Sequence, residues 1–240
     1  VHILDDLDGF SDRARELLAR TGRREAGRAA GVPTDLLRVR DRTGRLIPAP
    51  TELVVSREAF RARYRGLRYA ARRSALVGGR RRDIVRSWEF DLADGVWPDG
   101  RGWCFAWTGE RVSSPVNFLA HTDGRIGVGD GAAFIEVAAS VSRLIESHAV
   151  MDAVSSWDPW PGSLEAWVPS DAGVLAAERV EGLTPVAEAS GPHDTWLLSD
   201  HVAVHAFSSW TGERARRRAV RIWSRGEEGR RQVRAAFRDL

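Results

Sequence analysis

The sequence predicts an α+β fold: a mainly antiparallel sheet flanked by helices, followed by a C-terminal β-hairpin and helix extension. Three observations predict it. Residues 103–107 (Trp-Cys-Phe-Ala-Trp) and 116–119 (Val-Asn-Phe-Leu) are short apolar, aromatic runs with the composition of buried strands. Asp123-Gly124 tolerates the positive φ of a tight turn, and Ile126-Gly127-Val128 starts a return strand. Ser140 then stands as an N-cap before Val141, Leu144, Ile145 and His148, which share one helical face at i, i+3, i+4 and i+7. Strands closed by an amphipathic helix are an α+β order, not an alternating βαβ one.

The elements follow in order. Ser11 caps a helix carrying Ala14, Leu17 and Leu18, which Gly22 stops. Residues 23–30 add a short second helix before Gly31-Val32-Pro33. Residues 36–40 read as a strand that Asp41-Arg42-Thr43-Gly44 turns back through Leu46-Ile47, and Pro48-Ala49-Pro50 ends the hairpin. Ser56 caps the next helix, with Phe60 and Tyr64 inward and Arg57, Arg61 and Arg65 on an outward stripe, until Gly66 breaks it. Residues 67–71 and 83–92 are strands joined by a basic turn at 78–82, and 95–102 form a loop. Past residue 150, the Pro- and Trp-rich stretch 157–169 excludes long regular structure. Residues 175–180 read as a helix, 196–198 and 201–207 as strands, 218–223 as a hairpin partner, and 227–238 as a closing helix with Val233 and Phe237 inward. Its acidic start and arginine-rich end suit the helix dipole.

Two segments carry a resemblance. Residues 122–150 (TDGRIGVG…FIEVAASVSRLIESHAV) look like the end of a SUKH domain, the Smi/Knr-like immunity superfamily, where a D/N-G strand leads into a helix that closes the sheet. Upstream, Phe60, Tyr64, Gly66, Leu67 and Tyr69 are similar to that family's F-x-x-x-Y-G-G-L motif. Arg65 stands where the first glycine would be, and Val141 replaces the usual aromatic after Ser140. The resemblance spans about residues 30–150. It implies a SUKH-like domain over 1–150, with 151–240 packed on it as a C-terminal extension or continuous with it. It also implies a protein that neutralises a toxin by direct, non-covalent binding.

The 240 residues suffice for one large domain or for one with an extension. No run of about 18 apolar residues occurs, so no membrane is expected, and no charged segment precedes an apolar one as in a signal peptide. Cys104 is the only cysteine, which excludes an internal disulfide; with Trp103 and Phe105 beside it, a buried thiol in a cytoplasmic protein is expected. All 36 basic residues are arginine, and Asn117 and Gln232 are the only amides of their kinds. That is the bias of a GC-rich, actinobacterial type of genome, and with a net charge of only +3 it gives no argument for nucleic acid.

Charge is nevertheless segregated. Residues 57–86 hold eleven arginines against Glu58 and Asp83, whereas 145–200 hold ten acids against Arg179 alone. Blocks of this kind either neutralise each other across the fold or face partners. The acidic block with its tryptophans is the preferred partner surface, with Trp157, Asp158, Trp160, Glu165 and Trp167 as contacts for a cationic protein such as a toxin. The alternative is a nucleic-acid-associated protein using Arg61, Arg65, Arg80, Arg81 and Arg82. Of the ten tryptophans, Trp88, Trp103, Trp107 and Trp223 are expected inside, and Trp157, Trp160 and Trp167 are the candidates for the surface.

Catalytic chemistry finds little support, and an enzyme of unknown type ranks third. His201 and His205 have zinc spacing in a helix, but the alternation 200–207 is that of a strand. Four residues at about 3.3 Å each separate the two backbones by roughly 13 Å, too far for one ion; two half-exposed strand histidines are expected instead. Gly127-x-Gly129-x-Gly131 lacks the spacing of a dinucleotide fingerprint, no lysine exists for a phosphate loop, and Gly-x-Ser-x-Gly is absent. No cofactor or metal is expected.

Overall fold

The computed structural model describes residues 1–26, 37–77, 80–100, 102–110, 117–129, 134–160, 177, 179–191, 194–208 and 218–237. It is an α+β protein, as the sequence predicts, divided into two compact units. The first comprises Val1–Ala70 and Arg86–Val141; the second comprises Ala71–Val85 and Ser142–Leu240. One boundary falls near 141, and the outer part of one hairpin belongs to the second unit.

In the first unit α1 (Asp12–Thr21) begins where Ser11 Oγ accepts from Ala14 N at 3.2 Å and ends at Gly22. Arg23–Arg24 are not helical: they form β1, antiparallel to β4 (Leu67–Val77). β2 (Arg38–Arg40) and β3 (Leu46–Pro48) make the expected hairpin, in which Asp41 Oδ1 accepts from Thr43 N and Arg45 N. Helix α2 spans Thr51–Tyr64, so it starts five residues before the expected cap. Pro50 precedes it with its preset φ, and Ser56 lies inside the helix, donating to Thr122 O at 3.2 Å.

The main sheet runs β1-β4-β5-β6-β7-β8-β9, with β5 Arg80–Asp99, β6 Gly102–Glu110, β7 Asn117–His121, β8 Ile126–Gly129 and β9 Ile135–Ala138. Residues 95–99, expected as part of a loop, belong to β5: Val96–Asp99 pair with Phe105–Gly102 of β6, beyond two register shifts between Glu89 and Val96. Gly95, at φ 122°, supplies a backbone geometry that a side chain would oppose. Between β7 and β8, His121 O accepts from Gly124 N, and Gly124 takes φ 95°, the left-handed residue of a three-residue hairpin.

Both faces of β6 are buried, which explains its unbroken apolar run. One face carries Phe105 and Trp107, which meet Phe60 of α2, Phe90 and Trp88 of β5, and Phe118 of β7; Phe90 stacks on Trp107 at 4.6 Å. The other carries Cys104 and Ala106, packed with Leu119, Ala93, Trp97 and Phe134. Burial, reinforced by the Asp99 carboxylate, pushes the Cys104 thiol up to about 12. Cys104 is therefore expected to resist a thiol reagent in native buffer and to react stoichiometrically in denaturant. Rapid native labelling would refute the placement.

In the second unit a five-stranded antiparallel sheet runs β10-β14-β13-β12-β11. Its strands are β10 Asp158–Pro159, β11 Thr184–Pro185, β12 Asp194–Leu198, β13 Val202–Ser208 and β14 Arg218–Ser224. Alternation along β13 and β14 builds two cores. Ala203 and Trp223 join Val150 and Val154 of α3 (Val141–Val154), with Trp196. Val202, Val204, Val220 and Ile222 join Val233, Ala236 and Phe237 at the end of α4 (Gly226–Ala236). The expected helix at 175–180 lies largely outside the described residues.

Candidate functional site

The segment after α3 carries the sequence-predicted contacts. Ser155 closes the helix by donating to Asp152 O at 2.6 Å, and Trp157 N donates to Val154 O at 3.0 Å. Asp158 then pairs with Ser224 and Pro159 with Trp223, after which Trp160 N donates to Ile222 O at 2.8 Å. Pro159 has no N–H to give, and it sits on the edge strand where that loss is tolerated.

The two indoles are not side by side. Trp157 packs against the core of Val150, Val154, Trp196 and Trp223, with the Arg225 guanidinium 6.0 Å from its ring. Trp160 packs against the other core, the cluster that includes Val202, Val204, Val220, Ile222, Val233 and Phe237. The expected surface tryptophans are thus half-buried and serve opposite faces of one sheet. Trp103, expected inside, is likewise half-buried, whereas Trp88, Trp107 and Trp223 are buried as expected. Glu165 and Trp167 lie outside the described residues.

Asp158 sits between two guanidiniums. Its Oδ2 is 2.8 Å from Arg230 Nη1 and its Oδ1 3.6 Å from Arg81 Nη1. Arg230 also meets Glu227 at 3.1 Å; Arg81 meets Asp83 at 3.5 Å and donates to Ser155 O at 2.7 Å. The chain of charges is Asp83, Arg81, Asp158, Arg230, Glu227. Residues that the sequence assigns to rival surfaces, Arg81 and Asp158, are therefore neighbours.

Neutralisation extends through the acidic block. Asp152 is buried and accepts from Arg72 N at 2.7 Å, with the Arg72 guanidinium at 3.4 Å. Glu146 is buried as well. Glu181 and Asp200 remain exposed. Of the arginines, Arg61 and Arg65 lie exposed in the first unit, Arg61 against Glu58 at 3.0 Å, while Arg80, Arg81 and Arg82 lie exposed on β5 in the second. Arg57, expected on the outward stripe with Arg61 and Arg65, is buried.

A polar cluster in the second unit went unread in the sequence. Asp194 Oδ2 accepts from Ser147 Oγ at 2.8 Å, Ser147 Oγ accepts from Trp196 Nε1 at 2.9 Å, and His205 Nε2 bonds the other Asp194 oxygen. His205 is buried rather than half-exposed, its ring stacked 4.0 Å from Trp196 and 4.9 Å from Phe207. Burial, with His205 nearby, pushes the His148 imidazole down to about 3 against the pull of Asp194. The carboxylate stands between hydroxyl and imidazole, so His205 does not reach Ser147 as a base, and the order required of a nucleophile pair is missing. The cluster orders a core. Alternation does place Asp194 with Trp196, and His205 with Phe207; joining the pairs needs the register Trp196↔His205, which only the fold supplies.

Among the described residues no group of three or more His, Cys, Asp or Glu side chains could hold a metal ion, and no helix is long and apolar enough to cross a membrane. No family model matches the chain, and neither a curated protein nor a solved structure does.

Proposed function

We propose that the chain is a binding protein of the immunity type, which neutralises a toxin or holds a partner protein by direct contact through the edge segment 157–160. The observation that carries this reading is Asp158, half-buried at a sheet edge and shared by Arg81 and Arg230, with Trp157 and Trp160 on either side of it in the chain. Trp and Arg are the residues that dominate binding hot spots, and half-buried rings are already ordered before a partner arrives. A cationic partner would compete with Arg81 and Arg230 for the carboxylate, which makes the exchange selective rather than merely attractive. The SUKH resemblance supports the same class.

The test is capture of the partner from the producing organism, followed by calorimetry with the purified pair. Asp158→Arg is expected to weaken binding by about tenfold or more, the scale of a contact above about 1.4 kcal/mol. Trp160→Ala should also weaken it but lower the melting temperature, since the ring fills a core. Arg81→Glu should disturb binding less. Its effect is not independent of Asp158, so the double exchange Arg81→Asp with Asp158→Arg is the control that restores a pair. Full binding by Asp158→Arg removes this site.

The nucleic-acid reading rests on Arg80 and Arg82, both exposed and two apart on β5, hence on one face of the strand. It requires a steep linear fall of log K with log salt that flattens in Arg80→Ser/Arg82→Ser.

A further inference from the structure

The β2–β3 hairpin concentrates positive charge that the acids of the first unit leave unanswered. Residues 38–48 hold Arg38, Arg40, Arg42 and Arg45 against Asp41 alone, and all four arginines are exposed. Arginine is this chain's default polar residue, so their pairing says more than their number. Elsewhere in this unit exposed arginines meet carboxylates: Arg23 meets Glu25 at 2.7 Å, Arg24 meets Asp5 at 3.6 Å and Arg61 meets Glu58 at 3.0 Å. Among the described residues none of the four hairpin guanidiniums pairs with a carboxylate; Arg40 and Arg42 donate only to the carbonyls of Gly44 and Asp99. Asp41 spends Oδ1 on the turn, accepting from Thr43 N, Thr43 Oγ1 and Arg45 N. Alternation sorts the ribbon into two faces. Val39 is buried with Ile47 opposite it, while Arg38 and Arg40, opposite Pro48 and Leu46, make the exposed face. The ribbon is fixed in place, since Arg42 Nη2 donates to Asp99 O at 3.0 Å and Ala49 N to Leu37 O at 3.0 Å.

We propose that the exposed face of the β2–β3 hairpin is a contact surface for double-stranded DNA. Four unneutralised guanidiniums on one ordered ribbon are complementary to a row of phosphates. The rest of the face decides which polyanion it fits. An acidic protein partner needs a desolvated apolar centre, and here only Leu46 and Pro48 accompany the arginines. A single strand needs aromatic side chains on which its bases stack, and residues 37–50 contain none. A duplex needs neither. The major groove of B-form DNA admits a two-stranded ribbon, whereas the deep, narrow one of duplex RNA does not. Contacts to phosphates position the protein without reading base sequence. This surface depends neither on the segment 157–160 nor on Arg80 and Arg82.

The experiment titrates a fluorescently labelled DNA duplex of mixed sequence with the full chain, by anisotropy, across a salt series. Log K is expected to fall linearly with log salt with a slope of about −3.6, about 0.9 for each of the four arginines. Arg38→Ser/Arg45→Ser should halve that slope and leave the melting temperature unchanged, because both side chains are exposed. Arg80→Ser/Arg82→Ser should leave the slope as it is, which separates the hairpin from β5. The single strand, an RNA duplex of the same sequence and poly-glutamate should all bind more weakly. Absence of duplex binding at low salt overturns the surface, as does a slope that the hairpin variant leaves unchanged. Tighter binding of the single strand, the RNA duplex or poly-glutamate overturns the partner class.

Discussion

Trp223→Ala is expected to destabilise the second unit by about 3–5 kcal/mol, the range for removing a large buried aromatic side chain. Trp223 is fully buried. Its ring stacks on Trp196 at 5.7 Å and closes the core formed with Val150, Val154, Val186, Ala189 and Ala203. Its Nε1 donates to Ser74 Oγ at 3.0 Å, a residue of β4 that belongs to the same unit. Two losses combine in the variant: the volume of an indole between α3 and the sheet, and the partner of a buried hydroxyl. Trp223→Phe separates them, since it keeps most of the apolar area and gives up the bond, at a cost nearer about 1–3 kcal/mol. Urea unfolding followed by near-ultraviolet circular dichroism measures both, with the two units allowed separate transitions. Equal losses for Ala and Phe would mean that the bond to Ser74, not the packing, holds the ring.

Legibility in the sequence tracked the range over which each feature is decided. Helix α1 was readable from end to end, because Ser11 and Gly22 act within one turn of the residues they cap. The β7–β8 turn was readable for the same reason: the conformation at Gly124 is local. Helix α3 was readable from its spacing, and Val141, Leu144 and Ile145 are all buried. Elsewhere tertiary context outweighs the local signal. Ser56 looked like a cap, but Leu53 is buried and draws the helix start back to Thr51. Gly95 and Pro98 have the local signature of a loop, but the pairing of Val96–Asp99 with β6 carries the strand through them. Arginine is this chain's default polar residue, so nothing in the sequence marked Arg57 as the buried member of its stripe. The candidate site was half readable: Trp157, Asp158 and Trp160 stood out by type, while the assignment of the two rings to opposite faces follows from the pairing of Asp158 with Ser224. The approach of Arg81 to Asp158 depends on the fold alone.

Asp91→Ala is expected to cost about 3–5 kcal/mol, because it takes from the buried Arg68 guanidinium its closest counter-ion. The Arg68 side chain is 10% exposed and that of Asp91 3%, and Nη2 lies 2.6 Å from Oδ2. The carboxylate does a second job: Oδ1 accepts from Gly66 N at 3.0 Å, at the junction between α2 and β4. Arg68 is also tied to Leu67 O at 3.2 Å, with Glu89 at 3.6 Å and Glu25 at 3.9 Å. These flanking carboxylates give Arg68 a partial substitute that Asp91 lacks, so Arg68→Met should be at least as damaging as Asp91→Ala. Removing both charges in Arg68→Met/Asp91→Leu should recover part of either loss, since a buried pair can be exchanged for apolar packing at little net cost. Recovery stops short of the wild type by roughly 1–3 kcal/mol, the cost of leaving the Gly66 N–H without an acceptor. The measurement is a double-mutant cycle from denaturant unfolding, repeated at high salt, where coupling within a buried pair should persist. A double variant whose loss equals the sum of the two single losses would show that Arg68 and Asp91 contribute through separate neighbours rather than through each other.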